Sequence, residues 1–337
     1  MRFAFVLIIA LLTACSSSES NLSTSPQFDG KKFQNQIKSE SDRGLLSVLK
    51  FLIFENNGVW PENIDNKATP ELKNKPNESV VTFINHATFL AEMPNQRILF
   101  DPIFSERASP VSWAGPKRKR APGLAINALP KIDVILISHN HYDHLDLASL
   151  KYLSKRDNPL ILVPLGNKAF LTKEGIANVI EMDWWDKISL DKEVVVTFVP
   201  AQHFSGRGLF DRDKSLWGGF VVQTPRKTLF HAGDTGYSPH FSDIGEKYDI
   251  DIAMLPIGDY APRWFLEYVH MDPIQAIKAH KDLNAKQSIV MHAETFQLSH
   301  VSYNEPQALL KELNDIGKKP TNFITLEVGQ SIRISND

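Results

Sequence analysis

Short runs of apolar and β-branched residues recur along the chain from residue 80 onward. Runs of this length are typical of buried strands, and they predict strands at residues 80–84, 97–100, 134–138, 160–163, 194–199, 220–223, 228–231, 252–256, 288–291 and 323–325. Apolar residues three and four positions apart predict helices between them, at residues 147–153, 168–173, 273–281 and 306–316. Asp146 and Asp272 stand where helix N-caps are expected. Strands and helices that alternate in this way favour an α/β sandwich.

The N-terminus has a different pattern. Arg2 precedes an unbroken apolar run at residues 3–12, which is too short to span a bilayer but has the length of a signal-peptide core. The next residues, Leu-Thr-Ala-Cys ending at Cys15, resemble the lipobox of bacterial lipoproteins, in which the cysteine becomes the acylated first residue. A plain secretory signal cleaved elsewhere is the alternative. We expect a lipoprotein signal peptide over residues 1–14 and a membrane anchor on Cys15.

A polar, serine-rich stretch follows this cysteine and predicts a flexible tether over residues 15–30. Ser16 directly after the cysteine resembles the sorting pattern for the outer membrane, so we expect a lipid-anchored protein of the bacterial cell envelope, facing the periplasm. Residues 31–79 carry less pattern and are interpreted as an N-terminal extension. Neither repeats nor low-complexity linkers interrupt the rest, which predicts one catalytic domain over residues 80–337.

Composition narrows the class of protein. Of 337 residues, 42% are apolar and 23% are charged, as in folded globular chains. The net charge is −2, from 37 basic and 39 acidic side chains, which argues against a nucleic-acid partner. Because Cys15 is the single cysteine, neither an intrachain disulfide nor a thiolate metal cluster can form. Any metal must be held by histidine and carboxylate.

The candidate chemistry is concentrated at residues 139–144, which read His-Asn-His-Tyr-Asp-His directly after a predicted strand. In a chain of this composition, three histidines and one aspartate at these offsets are expected about 0.001 times by chance. His139 and His141, at alternate positions of an extended turn, can point to one side, while Asp143 and His144 reach a neighbouring point. This spacing favours two metal sites over one. A solvated histidine-rich loop is the alternative.

Three further ligand types each follow a predicted strand: His203, Asp234 and His292. Ligands from separate strand ends can converge at one edge of a sheet, where open α/β proteins usually have their sites. Four other histidines do not have this placement and are interpreted as ordinary core or surface residues: His231, His240, His280 and His300.

Together these residues resemble the binuclear metallo-β-lactamase superfamily, whose fold is an αβ/βα four-layer sandwich with the metals at one edge. Further segments are similar to the branch of phospholipases D that hydrolyse N-acyl phosphatidylethanolamine. They lie at residues 81–88, 101–105, 115–118, 183–185, 233–237, 256–258 and 262–265. The Asp-Trp-Trp and Pro-Arg-Trp-Phe segments, at residues 183–185 and 262–265, distinguish this branch within the superfamily. The resemblance extends from about residue 80 to the C-terminus.

The resemblance implies two divalent metal ions, expected to be Zn²⁺. His139, His141 and His203 would bind one ion, Asp143, His144 and His292 the other, and Asp234 would bridge them. A metal-bound hydroxide would then attack the phosphodiester of N-acyl phosphatidylethanolamine or a related phospholipid, releasing phosphatidic acid and an N-acyl ethanolamine.

Three residues are expected to take part in catalysis: Asp143, Asp234 and His270. The last of these matches a histidine that the family keeps beside the substrate phosphate; packing near the following helix start is its alternative. The chain departs from the family pattern at Glu294, where a carboxylate near the second metal would repel a phosphodiester unless it is turned away or paired with a Lys or Arg. The basic run at residues 117–120 either meets anionic head groups or is a solvated loop.

Two other functions remain open on the sequence. A lactonase or a small phosphodiester hydrolase of the same superfamily would use the same metal set. An envelope lipoprotein that binds a lipid or a partner without catalysis is disfavoured, because all seven expected ligands are present.

Overall fold

Two seven-stranded β-sheets form the frame of the protein in the computed structural model, which describes residues 22–38, 47, 50, 51, 58–73, 78–191, 193–316 and 321–334. The first sheet contains β1 (Ser79–Asn85), β2 (Thr88–Glu92), β3 (Arg97–Phe100), β4 (Val134–Leu136), β5 (Leu160–Pro164), β6 (Val179–Met182) and β14 (Ser331–Ile334). The second contains β7 (Lys187–Ser189), β8 (Val195–Val199), β9 (Gly219–Gln223), β10 (Thr228–His231), β11 (Ile252–Pro256), β12 (Gln287–Met291) and β13 (Phe323–Ile324).

Both sheets are mixed. The strand order is β14-β1-β2-β3-β4-β5-β6 in the first sheet and β13-β12-β11-β10-β9-β8-β7 in the second. The pairs from β3 to β6 are parallel, as are those from β10 to β13, while the remaining pairs are antiparallel. The carboxyl ends of the parallel strands therefore lie at one edge of each sheet.

Each inner strand buries both of its faces, so its side chains alternate between two cores. In β3, Ile98 and Phe100 belong to the core between the sheets, whereas Leu99 faces the outer core of the first sheet. The ring of Phe100 stacks on His231 of β10, with centroids 5.0 Å apart, and so joins the two sheets. This double burial explains why these strands read as continuous apolar runs rather than as alternating patterns.

Helices cover the outer faces. Two of them, α1 (Leu147–Asp157) and α2 (Lys168–Lys173), share the outer core of the first sheet. The second sheet is covered by α3 (His240–Lys247) and α5 (Pro273–Asp282), whose buried residues join its core. Two further helices are α4 (Arg263–Leu266) and α6 (Glu305–Ile316). The order helix, sheet, sheet, helix confirms the predicted four-layer α/β sandwich.

The two predicted N-caps are present. The side chain of Asp146 accepts a hydrogen bond from the backbone N–H of Ala148, and Asp272 forms a capping box with Gln275. All ten predicted strands and all four predicted helices have counterparts among these elements, within a few residues. The elements that the sequence pattern missed are β2, β6, β7, β14, α3 and α4.

The described part of the N-terminal segment packs against the domain. Phe33 is 1% exposed within the core between the sheets, and Phe28 forms a β-bridge with it. Ser25 is buried, and the backbone N–H groups of Ser25 and Phe28 donate to the backbone oxygens of Leu22 and Ser25. The flexible tether over residues 15–30 stays a prediction. The predicted signal peptide at residues 1–14 and the predicted anchor at Cys15 lie outside the described residues. Among the helices that the structure describes, none has both the length and the apolar character needed to cross a membrane.

Candidate metal centre

The first cluster at the sheet edge joins three histidines and one carboxylate. His139 and His141 follow β4, His203 follows β8, and Asp234 follows β10. Nδ1 of His141 lies 2.8 Å from Nε2 of His139 and 3.3 Å from Nε2 of His203. Oδ2 of Asp234 lies 3.9 Å and 3.8 Å from the same two Nε2 atoms. A tetrahedral ion with bonds of about 2.1 Å holds its ligands about 3.4 Å apart, so these four atoms fit one ion.

The second cluster lies beside the first and shares Asp234 with it. Oδ2 of Asp234 is 3.2 Å from Nε2 of His144 and 3.0 Å from Nε2 of His292. Oδ2 of Asp143 is 3.3 Å and 3.2 Å from these two nitrogens. The structure thus brings together all seven side chains that the sequence predicts as ligands, with Asp234 between the two groups. That each of them binds a metal stays a prediction.

Two of the clustered imidazoles form a hydrogen bond through their second nitrogen: Nδ1 of His144 lies 2.8 Å from Asp101, and Nδ1 of His203 donates to the backbone oxygen of Val269. Nδ1 of His292 lies at ion-pair distance, 3.1 Å, from Asp259, without the geometry of a hydrogen bond. Such partners fix the ring orientation of histidines that bind metals. Sequence reasoning did not assign Asp101 or Asp259. The former follows β3 directly, which is the same strand-end signal that identified His203.

His86 and Asn35 also hold site residues in place. Nε2 of His86 lies 2.9 Å from Oδ2 of Asp143, so this histidine orients the carboxylate. Asn35, from the N-terminal segment, pairs with both backbone groups of His203: its Nδ2 donates to the carbonyl at 2.7 Å, and its Oδ1 accepts from the N–H at 3.0 Å. The indole N–H of Trp217 donates to the same Oδ1. Nothing in the sequence singled out Asn35.

Two glycines allow the loops to come this close. A side chain at Gly258 would place its Cβ 1.9 Å from the backbone oxygen of His292. Gly233, directly before Asp234, has a φ of +60° and would place a Cβ 2.6 Å from Cβ of Ser138. Only glycine is compatible with both the conformation and the space at Gly233.

Electrostatics favour cations at both clusters. Burial, and then the neighbouring imidazoles, hold the pKa values of His139 and His203 well below the ordinary value, so their rings are neutral and can bind a metal. Burial lowers the pKa of His144 as well, but the carboxylates of Asp234 and Asp143 raise it well above the ordinary value. The same carboxylates that hold a proton there would hold a divalent ion.

The donor set passes a further test of fit. Nε2 of His144 and Oδ1 of Asp234 are buried without a hydrogen-bond partner. Buried polar atoms are rarely left in this state, because doing so costs about 1–3 kcal/mol each. Imidazole and carboxylate together suit zinc, iron or manganese. The residues present therefore fit two divalent ions.

His270 lies against both clusters. Its ring centroid is 5.2 Å from that of His203 and 5.5 Å from that of His292, and its Nδ1 has no hydrogen-bond partner. Burial lowers the pKa of its imidazole. The N-cap of α5 is Asp272, so the side chain of His270 does not cap that helix.

The remaining candidates have structural partners. Glu294 is paired with Arg120, whose Nη1 lies 2.9 Å from its Oε2, so the extra carboxylate is neutralised. Within the basic run, Arg118 and Arg120 are buried, and Arg118 donates to the backbone oxygens of Ser105 and Ile103. This half of the run is structural rather than a solvated loop or a head-group site.

The four histidines interpreted as ordinary residues have structural contacts of their own. They stack on an aromatic ring or bond to a nearby hydroxyl or carbonyl: His231, His240, His280 and His300.

Comparison with known proteins defines the class. The sequence matches the family model described as Beta-lactamase superfamily domain over residues 96–293. Together with the fold and the two clusters, this shows that the chain belongs to the metallo-β-lactamase superfamily, as a metal-dependent hydrolase.

Individual relatives show which members of the superfamily the chain is similar to. The chain is 37% identical over 264 residues to N-acyl-phosphatidylethanolamine-hydrolyzing phospholipase D 1 of Caenorhabditis elegans, covering 74% of each chain. It is 41% identical over 242 residues to the mitochondrial enzyme of that name from Saccharomyces cerevisiae, covering 70% of this chain and 52% of that one. The predicted resemblance is thereby confirmed.

A solved structure supports the fold. A possible metal-dependent hydrolase from Veillonella parvula has a TM-score of 0.62 at 16% identity, over 76% of this chain and 99% of that one. At this level of identity the likeness shows the fold alone.

Proposed function

We propose that this protein is a binuclear, zinc-dependent phosphodiesterase of the phospholipase D type, acting on N-acyl phosphatidylethanolamine or a related phospholipid. One observation carries the proposal: two adjacent ligand clusters share Asp234, and the unpaired Nδ1 of His270 lies beside them. The names of the two eukaryotic relatives support the choice of substrate. The pairing of Glu294 with Arg120 removes the repulsion that a free carboxylate would exert on a phosphodiester.

The proposed side chains have two kinds of role: some would hold the ions, and others would contact the substrate or orient the ligands. One ion would be held by His139, His141 and His203, and the other by Asp143, His144 and His292. Asp234 would contribute to both. When held by these side chains, two divalent ions would supply Lewis-acid chemistry: they would polarise phosphoryl oxygens and lower the pKa of a water toward 7. Asp101, Asp259 and His86 keep the ligands oriented, so little rearrangement is needed during the reaction.

We assign His270 to the substrate phosphate. Its ring faces both clusters and is not engaged through Nδ1, so it can donate a hydrogen bond to a phosphoryl oxygen or a proton to the departing group. Asp143, Asp234 and His270 are thus the three residues that we propose for catalysis. The lipid anchor on Cys15 and a location in the bacterial outer membrane, facing the periplasm, belong to the same proposal, since an anchored enzyme stays close to a lipid substrate.

Product analysis tests this function. The full chain in mixed micelles with N-acyl phosphatidylethanolamine should release phosphatidic acid and N-acyl ethanolamine, detected by mass spectrometry, and should contain about two zinc ions per chain by elemental analysis. The variant His139→Ala/His141→Ala should release neither product. His280→Gln is the matched control, because His280 lies outside the clusters and bonds to Ser288. Absence of products from a chain that holds both ions would refute the lipid assignment, and hydrolysis of lactones instead would identify a lactonase.

A further inference from the structure

One buried hydrogen-bond network touches a candidate ligand of each cluster. Oδ2 of Asp101 lies 2.8 Å from Nδ1 of His144, and it accepts a hydrogen bond from the hydroxyl of Ser138 at 2.6 Å. The same hydroxyl lies 3.0 Å from Nδ1 of His139. Each of these four residues is at most 1% exposed. A path of three hydrogen bonds thus joins His139 of the first cluster to His144 of the second.

The fold places this network at the edge where β3 and β4 end. These two strands are parallel neighbours, so their carboxyl ends lie side by side. Asp101 directly follows β3, and Ser138 is the second residue after β4. The backbone N–H of Ser138 donates to Oδ1 of Asp101 at 2.7 Å. The carboxylate of Asp101 therefore holds both the backbone and the side chain of Ser138.

Neighbouring groups keep both residues in place. The backbone oxygen of Asp101 accepts from the hydroxyl of Thr88 at 2.7 Å, and that of Ser138 accepts from the N–H of Gly218 at 3.0 Å. Asp101 has a φ of +38°, a strained conformation that persists only where the surrounding structure holds it. At Gly233, a side chain would place its Cβ 3.0 Å from Oγ of Ser138, so this glycine leaves room for the hydroxyl.

The directions of these hydrogen bonds decide which imidazole nitrogen can bind an ion. A carboxylate only accepts, so the hydroxyl proton of Ser138 goes to Asp101, and Oγ of Ser138 must accept from Nδ1 of His139. The lone pair of that ring is therefore on Nε2, which lies in the first cluster, 3.9 Å from Oδ2 of Asp234. Asp101 likewise keeps a proton on Nδ1 of His144, whose Nε2 lies in the second cluster, 3.2 Å from the same oxygen.

We infer that Ser138 is a positioning residue that extends the hold of Asp101 from His144 to His139. One carboxylate then fixes the metal-binding tautomer of an imidazole in each cluster. Ser138 itself would bind neither ion, and the inference rests on the proposed binuclear centre. Loss of the Ser138 hydroxyl should therefore affect one cluster, whereas a change at Asp101 should affect both.

Stepwise zinc binding tests the inference. Competition of the full chain with chromogenic chelators of graded affinity resolves the binding of the two ions. In Ser138→Ala, one of the two affinities should fall by about 10–100-fold, the usual effect of losing an outer partner, and the other should stay as in the wild type. Asp101→Asn has one accepting oxygen in place of two, so both affinities should fall.

A spectroscopic signature identifies the rings that are affected. With Co²⁺ in place of zinc, the N–H protons of bound imidazoles are shifted away from the other proton resonances. In Ser138→Ala, one of these signals should exchange faster with solvent deuterium, and in Asp101→Asn the same signal and a second one should do so. Ser149→Ala is the matched control, because Ser149 is also a buried serine that donates to an aspartate, Asp146, outside the clusters. This control should keep both affinities and all N–H signals.

Unchanged affinities and N–H signals in Ser138→Ala would overturn the inference. Equal losses in Ser138→Ala and Ser149→Ala would also overturn it, because the effect would then be one of general stability. None of these measurements involves a substrate. Zinc binding that responds as expected, without product release from the lipid, would refute the proposed substrate and leave the role of Ser138 standing. Product release with zinc binding that ignores Ser138→Ala would do the reverse.

Discussion

Replacing Asn35 by alanine should weaken metal binding at the first cluster although Asn35 is not a ligand. The side chain of Asn35 holds both backbone groups of His203, at 2.7 Å and 3.0 Å, from a position 168 residues earlier in the chain. The alanine variant frees the backbone of His203 at the point where the imidazole must meet His139 and His141. Loss of an outer partner of this kind typically lowers metal affinity by about 10–100-fold.

The effect on stability follows from the same bonds. The buried N–H of His203 loses its acceptor, which costs about 1–3 kcal/mol. The indole N–H of Trp217 loses one acceptor but keeps the backbone oxygen of Ala201 at 3.1 Å, so its contribution is small. We therefore expect the free energy of unfolding to fall by about 2 kcal/mol.

Competition with a chromogenic zinc chelator measures the affinity, and urea unfolding of the metal-free chain measures the stability. Gln34→Ala is the matched control, because the amide of Gln34 donates to the exposed Asp29. Asn35→Asp should lie between the wild type and Asn35→Ala, since it keeps the acceptor for the N–H of His203 and loses the donor. Zinc affinity in Asn35→Ala equal to that of Gln34→Ala would refute the positioning role of the N-terminal segment.

Three further substitutions probe the cap, the ion pair and the loop of the second cluster. Asp272→Ala should lower the free energy of unfolding in urea by about 1 kcal/mol through loss of the capping box, while Asp272→Asn should retain most of it. Arg120→Met should lower the free energy of unfolding by about 3 kcal/mol, because Glu294 loses its partner. Adding Glu294→Gln should recover part of that loss, and equal losses in the single and double variants would contradict the pairing. Gly258→Ala should reduce bound zinc from about two ions per chain toward one, because the added Cβ would displace the backbone of His292. Unchanged metal content would show that this close contact does not control the position of His292 as a ligand.

Much of the fold was accessible from the sequence because the inner strands are buried on both faces. In β3, β10 and β11 the apolar runs coincide with the strands themselves. The missed strands β6, β7 and β14 are short or lie at sheet edges, where exposed positions such as Lys187 and Ser189 interrupt the pattern. The strand β2 follows β1 after only two residues, His86 and Ala87, without a glycine to mark the turn.

The candidate ligands could be predicted for a similar reason. Four of them fall within the six residues 139–144, and the other three each follow a recognisable strand. Asp101 follows the same rule and could have been found by applying it to β3. Asn35 could not be found in this way, because an asparagine in an irregular segment carries no periodic signal and its partner His203 is distant in sequence.

The distribution of the ligands over the two sheets links metal binding to folding. His139, His141, Asp143 and His144 extend from β4 of the first sheet, whereas His203, Asp234 and His292 follow strands of the second. Each proposed ion therefore needs ligands from both sheets, and neither cluster is complete on one sheet. Ions bound in this way would cross-link the layers and stabilise only the assembled sandwich, by about 4 kcal/mol at a free ion concentration 1,000 times the Kd. Dialysis against a chelator should lower the melting temperature, and zinc should restore it; a melting temperature that is indifferent to zinc would contradict a centre built across both sheets.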